Sequence, residues 1–450
     1  MFPHGARVPQ VLEKPQRGAD EQLLRAIGVP GLTANIVNTT VGAGIFVLPA
    51  LVAASLGAAS PVAFLVCALA MALVVTSFAI AGSRVSLTGG LYAYVEVAFG
   101  PYVGFLAGVL FFLTAILSVS GVVSLFAASV TVLVPALDST LGHFLISLLV
   151  FGSLAWINLR GVRAGTAAVG AITVIKLIPL LLFVGAGLFF VRGADALAVA
   201  LPDPQALGKG VLLLIFAFAG IEVALVPSGE VKNPARTVPR AIYLALGSTT
   251  LLYILIQMVA QGILVGDLGK YTAAPLAEAA GRFAGAAGRS FLIVGATISA
   301  FGFIASDVLS SPRILFALGR DRFLPTVFAH VHPRFRTPDI AILTYCAICL
   351  VLSLSSSFQQ LAILANVAVL ILYFLCCGAA LELTRRDVRA DGKPFSFPGA
   401  WVVPPLAILV VLWILAHATR KEFLITGIVL AIASMLFLFR GKPSLTAPGA

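Results

Sequence analysis

Residues 38–49 read Asn-Thr-Thr-Val-Gly-Ala-Gly-Ile-Phe-Val-Leu-Pro, in the middle of an apolar run that extends from about 28 to 56. Glycine is a poor helix former, and two glycines with Pro49 close behind interrupt what is otherwise a membrane-length helix. Unwound backbone at bilayer depth is tolerated where it lines a cavity or is buried in protein. A second stretch repeats the arrangement: Phe-Ala-Phe-Ala-Gly-Ile-Glu at 216–222, followed by Pro227, in the run 209–228. Glycine is also common at close helix–helix contacts in membranes, so either break alone is weak evidence. Their placement relative to each other carries the weight.

The surrounding composition shows what the breaks interrupt. The chain has 450 residues, 60% of them hydrophobic and 10% charged, with a mean hydropathy of +1.07. Soluble domains carry about 25% charged residues, and disordered chains are polar and charge-rich; both classes are excluded. A membrane β-barrel alternates polarity over segments of about ten residues, whereas the apolar runs here are continuous and longer. The expected class is all-α integral membrane. Twelve apolar segments are present, at 28–56, 60–82, 101–134, 141–158, 166–191, 209–228, 240–265, 289–312, 339–355, 359–383, 401–418 and 423–439. A spanning helix takes about 20 residues, so twelve transmembrane helices are expected.

The net charge of +11 speaks to orientation. With the N-terminus inside, the tails and even-to-odd loops hold 21 Lys and Arg, including Arg160, Arg163, Lys232, Arg236, Arg240, Arg313, Arg320, Arg322, Arg334 and Arg336; the opposite loops hold seven. Basic residues mark cytoplasmic loops, so both termini are expected to be cytoplasmic, with the basic loops near anionic lipid. No loop is long enough for a soluble domain, and nothing supports nucleic-acid binding. The polar first 26 residues contain no signal-peptide pattern. The five cysteines (67, 346, 349, 376, 377) all lie in apolar runs and read as packing residues. The five histidines (4, 143, 330, 332, 417) form no metal cluster, and no His-Glu-x-x-His or Gly-x-Ser-x-Gly motif is present. No metal site and no enzyme activity are expected.

Five segments begin with the first break and five with the second. The odd spacing reverses their polarity: segment one enters from inside, segment six from outside. That is the pattern of an inverted-repeat transporter, with its substrate site at the paired breaks. The expected organisation is a tail at 1–27, a first repeat at 28–191, a second at 209–383, two further helices at 401–439, which the resemblance described next makes peripheral, and a tail at 440–450.

At these residues the chain resembles the amino acid–polyamine–organocation (APC) family of transporters. The matching stretches are Thr40-Val-Gly-Ala-Gly-Ile-Phe-Val-Leu-Pro49; Thr88-Gly-Gly-Leu-Tyr-Ala-Tyr94 with Phe99-Gly-Pro101; Phe216-Ala-Phe-Ala-Gly-Ile-Glu222 with Gly229-Glu-Val-Lys-Asn-Pro234 and Arg236-Thr-Val-Pro239; and Ser311-Pro-Arg-Ile-Leu-Phe-Ala-Leu-Gly-Arg-Asp321 with Leu324-Pro325. Thr88 stands where the family usually has proline, and Arg322 where it has glycine. The resemblance implies the LeuT-like 5+5 inverted repeat with helices 1 and 6 broken, and an amino acid permease of a prokaryotic cytoplasmic membrane working by alternating access.

An amino acid brings a carboxylate and an ammonium. Helix N-terminal amides bind anions, and freed carbonyls accept from cations. The resemblance places the carboxylate on Gly42, Ala43 and Gly44, and the ammonium on carbonyls at Thr40, Phe216 and Ala219, beside Gly220. Ala43 stands where some relatives carry a hydroxyl. Phe216 and Phe218 are candidates to cover the substrate.

Ionisable residues inside a membrane are functional candidates, and three qualify. Lys176 lies deep in segment five; by resemblance its ammonium occupies the place where sodium-coupled relatives bind a cation. It is therefore expected to carry a proton or act as a fixed ion in an exchanger, and sodium is not expected. Snorkelling to the surface is the alternative. Glu222 follows the second break, where it senses protons or braces the unwound backbone. Asp307, in segment eight, either faces the cavity or pairs with an arginine such as Arg313. Glu230, Lys232, Arg236, Arg313, Arg320 and Asp321 are candidates for cytoplasmic gate ion pairs. No cofactor is expected beyond the proton-motive force or a counter-substrate. Other readings are a polyamine or organic-amine transporter of the same fold and, more remotely, a channel or intramembrane enzyme. Oligomeric state cannot be read from the sequence.

Overall fold

The computed structural model describes residues 28–85, 91–160, 175–191, 202–222, 231–320, 324–389 and 394–439. Both tails, Thr88–Gly90, Arg163, Pro227, Gly229, Glu230, Asp321 and Arg322 lie outside the described residues. Within them the secondary structure is helical, with no β-strand. The α-helices are α1 (Val29–Thr40), α2 (Leu48–Leu56), α3 (Ser60–Gly82), α4 (Leu91–Phe99), α5 (Pro101–Leu133), α6 (Thr140–Arg160), α7 (Leu177–Gly187), α8 (Pro204–Phe218), α9 (Pro234–Leu264), α10 (Pro275–Ser310), α11 (Pro312–Arg320), α12 (Asp339–Ser355), α13 (Phe358–Arg385), α14 (Val403–Leu415) and α15 (Arg420–Phe439).

Each of the twelve apolar segments holds a helix, and segment one holds two. Among the described residues, seven helical stretches are long and apolar enough to cross a membrane, and four more apolar helices run 10–17 residues. Local chemistry sets many of the starts. Proline occupies the first turn of α1, α2, α3, α5, α8, α9, α10 and α14, where its missing N–H is no loss. Asp203 caps α8 by accepting from the Ala206 amide at 2.8 Å. Ser357 and Gln360 form a capping box on α13.

Two helices lie between the apolar segments. The short α4 buries Leu91, Tyr94, Val95 and Ala98 along one side. The other, α11, directly follows α10. Segments seven and eight also begin earlier than their apolar cores suggest. In α10, Gly285 (φ 61, ψ −156) breaks the helical winding, and Arg289 donates back across it to Glu278 at 2.8 Å.

The core is continuous and centres on α3, α5 and α13. Here α5 packs on α13, α10 and α12; α9 packs on α1 and α3; α8 packs on α3 and α2; and α10 packs on α7. By contrast, α6, α7 and α15 turn rows of leucine and phenylalanine outward.

Candidate functional site

Both breaks are present, and they meet. The winding of α1 stops after Thr40. Val41 turns (φ −74, ψ 85) although its amide still reaches the Val37 carbonyl. Gly42 is extended (φ −99, ψ −165). A 3-10 turn over Ala43–Phe46 follows, and α2 resumes at Leu48. The opening amides of a helical turn have no partner within it. Those of Ala43 and Gly44 donate to no described group, and both residues are buried. Two buried donors thus converge at one place, where an unpaired amide costs free energy until something accepts from it.

Beyond Phe218, α8 opens. Ala219 is extended (ψ 150) and Gly220 adopts φ +109, a conformation that suits glycine. The Gly220 amide, next in line for the Phe216 carbonyl, turns instead to Glu222 Oε2 at 3.0 Å. That leaves the Phe216 carbonyl without a described donor. Gly220 lies directly on the end of α1: a Cβ there would stand 2.7 Å from the Thr39 carbonyl oxygen. The Phe216 ring covers Gly44, with its Cδ1 2.9 Å from where a Cβ would be, and meets Phe358 edge-on at 5.2 Å. Phe303 of α10 approaches Gly42. Phe218, the other candidate cover, is instead fully buried against Tyr253.

The Thr40 carbonyl has partners within the protein. It accepts from the Tyr253 hydroxyl at 3.0 Å and from the Gly42 amide at 2.8 Å. A carbonyl has two lone pairs, and the second is filled only while Tyr253 points its one hydrogen at Thr40 rather than at Ala217. The unpartnered atom of buried Thr40 is its hydroxyl, Oγ1.

Lys176 is buried and does not snorkel. Its Nζ donates to the Asn38 carbonyl at 2.5 Å, at the end of α1 where the helix dipole favours a cation. Glu222 is buried as well, and one oxygen, Oε2, accepts both from the Gly220 amide and from Tyr373 Oη at 2.8 Å. That oxygen thus links the unwound segment to α13. Asp307 is half-buried and, among the described residues, pairs with no arginine. It accepts from the Tyr345 hydroxyl and, at 3.0 Å, from Ser311 Oγ. Glu230 and Asp321, proposed for gate pairs, fall outside the described residues.

Sequence reasoning missed Tyr253. Its hydroxyl lies between two carbonyls, that of Thr40 on α1 and that of Ala217 on α8, at 3.0 and 2.9 Å. Gln257 and Gln261 follow it at helical spacing. Gln257 donates to Gln261, and Gln261 to the Ala58 carbonyl, both at 3.2 Å. Three polar residues at i, i+4 and i+8 in an apolar run were the available signal.

Among the described residues the chain is helical and apolar, and its two helix interruptions lie buried against each other. The chain belongs to the amino acid permease family, which it matches over residues 27–438, and with it to the APC superfamily. It is a multi-pass membrane protein and a secondary transporter of amino acids. Similar proteins of Bacillus subtilis (strain 168) include the serine/threonine exchanger SteT, 28% identical over 92% of this chain and 95% of SteT. The branched-chain amino acid permease BcaP is 24% identical over 88% and 89%. A methylthioribose transporter is 28% identical over 94% and 95%.

Proposed function

We propose that the chain carries a small, uncharged-side-chain amino acid by alternating access through a twelve-span, 5+5 inverted-repeat fold. The observation that carries this reading is the meeting of the two breaks, with the buried amides of Ala43 and Gly44 on one side and the open Phe216 carbonyl on the other. The carboxylate sits on the Gly42–Gly44 turn and the ammonium on the carbonyls of Phe216 and Ala219, beside Gly220. The packing supports the repeat: segment one lies on seven as six lies on two, and segment three on ten as eight on five. The repeats are 28–191 and 209–383, with 401–439 peripheral and the tails at 1–27 and 440–450 cytoplasmic. The membrane is the cytoplasmic membrane of a prokaryote.

Lys176 holds the place of a coupling cation, so that protons or a counter-substrate drive the cycle and sodium does not. Glu222 braces the second break. The relatives that carry serine, threonine or branched-chain amino acids suggest cargo of that size. A polyamine needs free carboxylates, and Glu222 and Asp307 both already accept from protein donors.

Thermal-shift screening of the purified protein against the twenty amino acids and polyamines tests the cargo, because a ligand of the folded state raises apparent stability. Neutral amino acids are expected to stabilise. Stabilisation by polyamines alone overturns the reading. Counterflow in liposomes then separates exchange from proton symport.

A further inference from the structure

The exposed face of α6 ends in a feature that transport does not use. Leu145, Leu149, Trp156 and Arg160 fall at i, i+4, i+11 and i+15, within one narrow stripe of the helix. All four are exposed, Leu149 at 73% and Trp156 at 55%. Their order along the helix is the order of a bilayer: two apolar residues, an aromatic ring, then a cation. Tryptophan settles at the membrane–water boundary and arginine at the headgroups. The Arg160 guanidinium lies over the Trp156 ring, 4.0 Å from its centroid. Stacking uses the face of the guanidinium and leaves its N–H edge free to grip an anion.

A second element brings two more cations to this place. Thr337 Oγ1 donates to the Leu159 carbonyl at 2.8 Å, so Arg336 and Arg160 are each one residue from a hydrogen-bonded pair. The turn holding Arg334 and Arg336 is internally fixed. The His332 amide donates to the Thr337 carbonyl and the Arg336 amide to the His332 carbonyl, both at 2.9 Å. His332 Nδ1 accepts from the amides of Arg334 and Phe335 at 3.2 and 3.3 Å. Arg336 is held at φ +56, a conformation an arginine adopts only under constraint. Among the described residues no carboxylate pairs with Arg160, Arg334 or Arg336. The nearby Asp339 pairs with His330 at 2.7 Å.

We infer that the end of α6 and the 332–337 turn form a seat for an anionic phospholipid, whose phosphate lies among Arg160, Arg334 and Arg336 and whose acyl chain runs down the Trp156–Leu149–Leu145 stripe. Charge complementarity selects the headgroup. Continuity with an outward apolar face selects a lipid over a soluble anion.

The test uses the full chain in detergent. Melting is followed during titration with phosphatidylglycerol, phosphatidylcholine or inorganic phosphate, for wild type and for the combined Arg160→Gln, Arg334→Gln, Arg336→Gln variant. Phosphatidylglycerol is expected to half-saturate the wild type at a concentration roughly ten-fold or more below phosphatidylcholine. The variant is expected to lose that preference while keeping its response to phosphatidylcholine. Equal lipid preference in wild type and variant overturns the inference, as does full stabilisation by inorganic phosphate, which would mark a soluble-anion site. A variant that fails to fold leaves a second reading: in a Trp401→Phe, Trp413→Phe background, brominated phosphatidylglycerol quenches Trp156 more than brominated phosphatidylcholine does. Equal quenching overturns it.

Discussion

Asp307 shows how much a residue's neighbours decide. A carboxylate in an apolar run is conspicuous in sequence, and its depth was legible. Its partners were not, because Tyr345 is 38 positions away and Ser311 one turn on. With both donors in place, Asp307 joins α10 to α12. Asp307→Asn is expected to destabilise the protein by about 1–3 kcal/mol, the cost of disturbing a half-buried, doubly hydrogen-bonded carboxylate, while changing substrate affinity less than two-fold. Melting curves and ligand titration check this together. Gly220 is the opposite case: its glycine was legible as a break, and the structure supplies the reason no other residue serves. Its φ is +109 and the Thr39 carbonyl lies against it. Gly220→Ala is expected to abolish counterflow, because the methyl group meets backbone, which cannot swing aside as a side chain would. Normal counterflow by a folded Gly220→Ala protein would show that the breaks need not touch. Tyr253 stayed hidden because a tyrosine in an apolar helix reads as packing until two carbonyls are found at its hydroxyl.

At the scale of elements, hydropathy located all twelve apolar segments, since a run of apolar residues is a direct consequence of burial in lipid or protein. It misplaced what depends on turns. At 9 residues α4 is too short to register as a span, and α10 extends back past Gly285, whose conformation composition does not reveal. The start of α9 explains part of a sequence motif. Asn233 caps it in the left-handed conformation (φ 45, ψ 61), and Pro234 follows as the first helical residue. Asparagine tolerates that conformation better than most residues. Asn233→Ala is therefore expected to lower stability by about 1 kcal/mol and Asn233→Gly by much less, a contrast readable in paired melting curves. The far end of α13 is tied down differently. Arg84, just past α3, donates to the Val388 carbonyl at 3.1 Å and faces Asp387. The hydrogen bond from Arg389, and then the charges of Arg389 and Arg84, hold the Asp387 carboxyl below its usual range. A depressed carboxyl stabilises the fold above its unfolded value and loses that contribution as pH falls through the folded one. Melting temperatures of wild type and Asp387→Asn are thus expected to differ near neutrality and converge below about pH 4.

At the scale of the whole molecule, distant segments depend on one another through single contacts. Lys176 joins the start of α7 to the end of α1. Its removal leaves the Asn38 carbonyl without that cation. Lys176→Ala is expected to abolish uptake driven by a pH gradient in liposomes, and unchanged pH-driven uptake would refute its coupling role. Paired interruptions were legible because glycine and proline mark them locally. Which groups fill the space between them was not, because that depends on how helices hundreds of residues apart are brought together.

The Tyr253 hydroxyl has one hydrogen and two claimants, one on each interrupted helix. Any motion that parts α1 from α8 forces a choice, and the abandoned carbonyl must find a new donor. That single hydrogen therefore ties the spacing of the two interrupted helices to which of their carbonyls is satisfied.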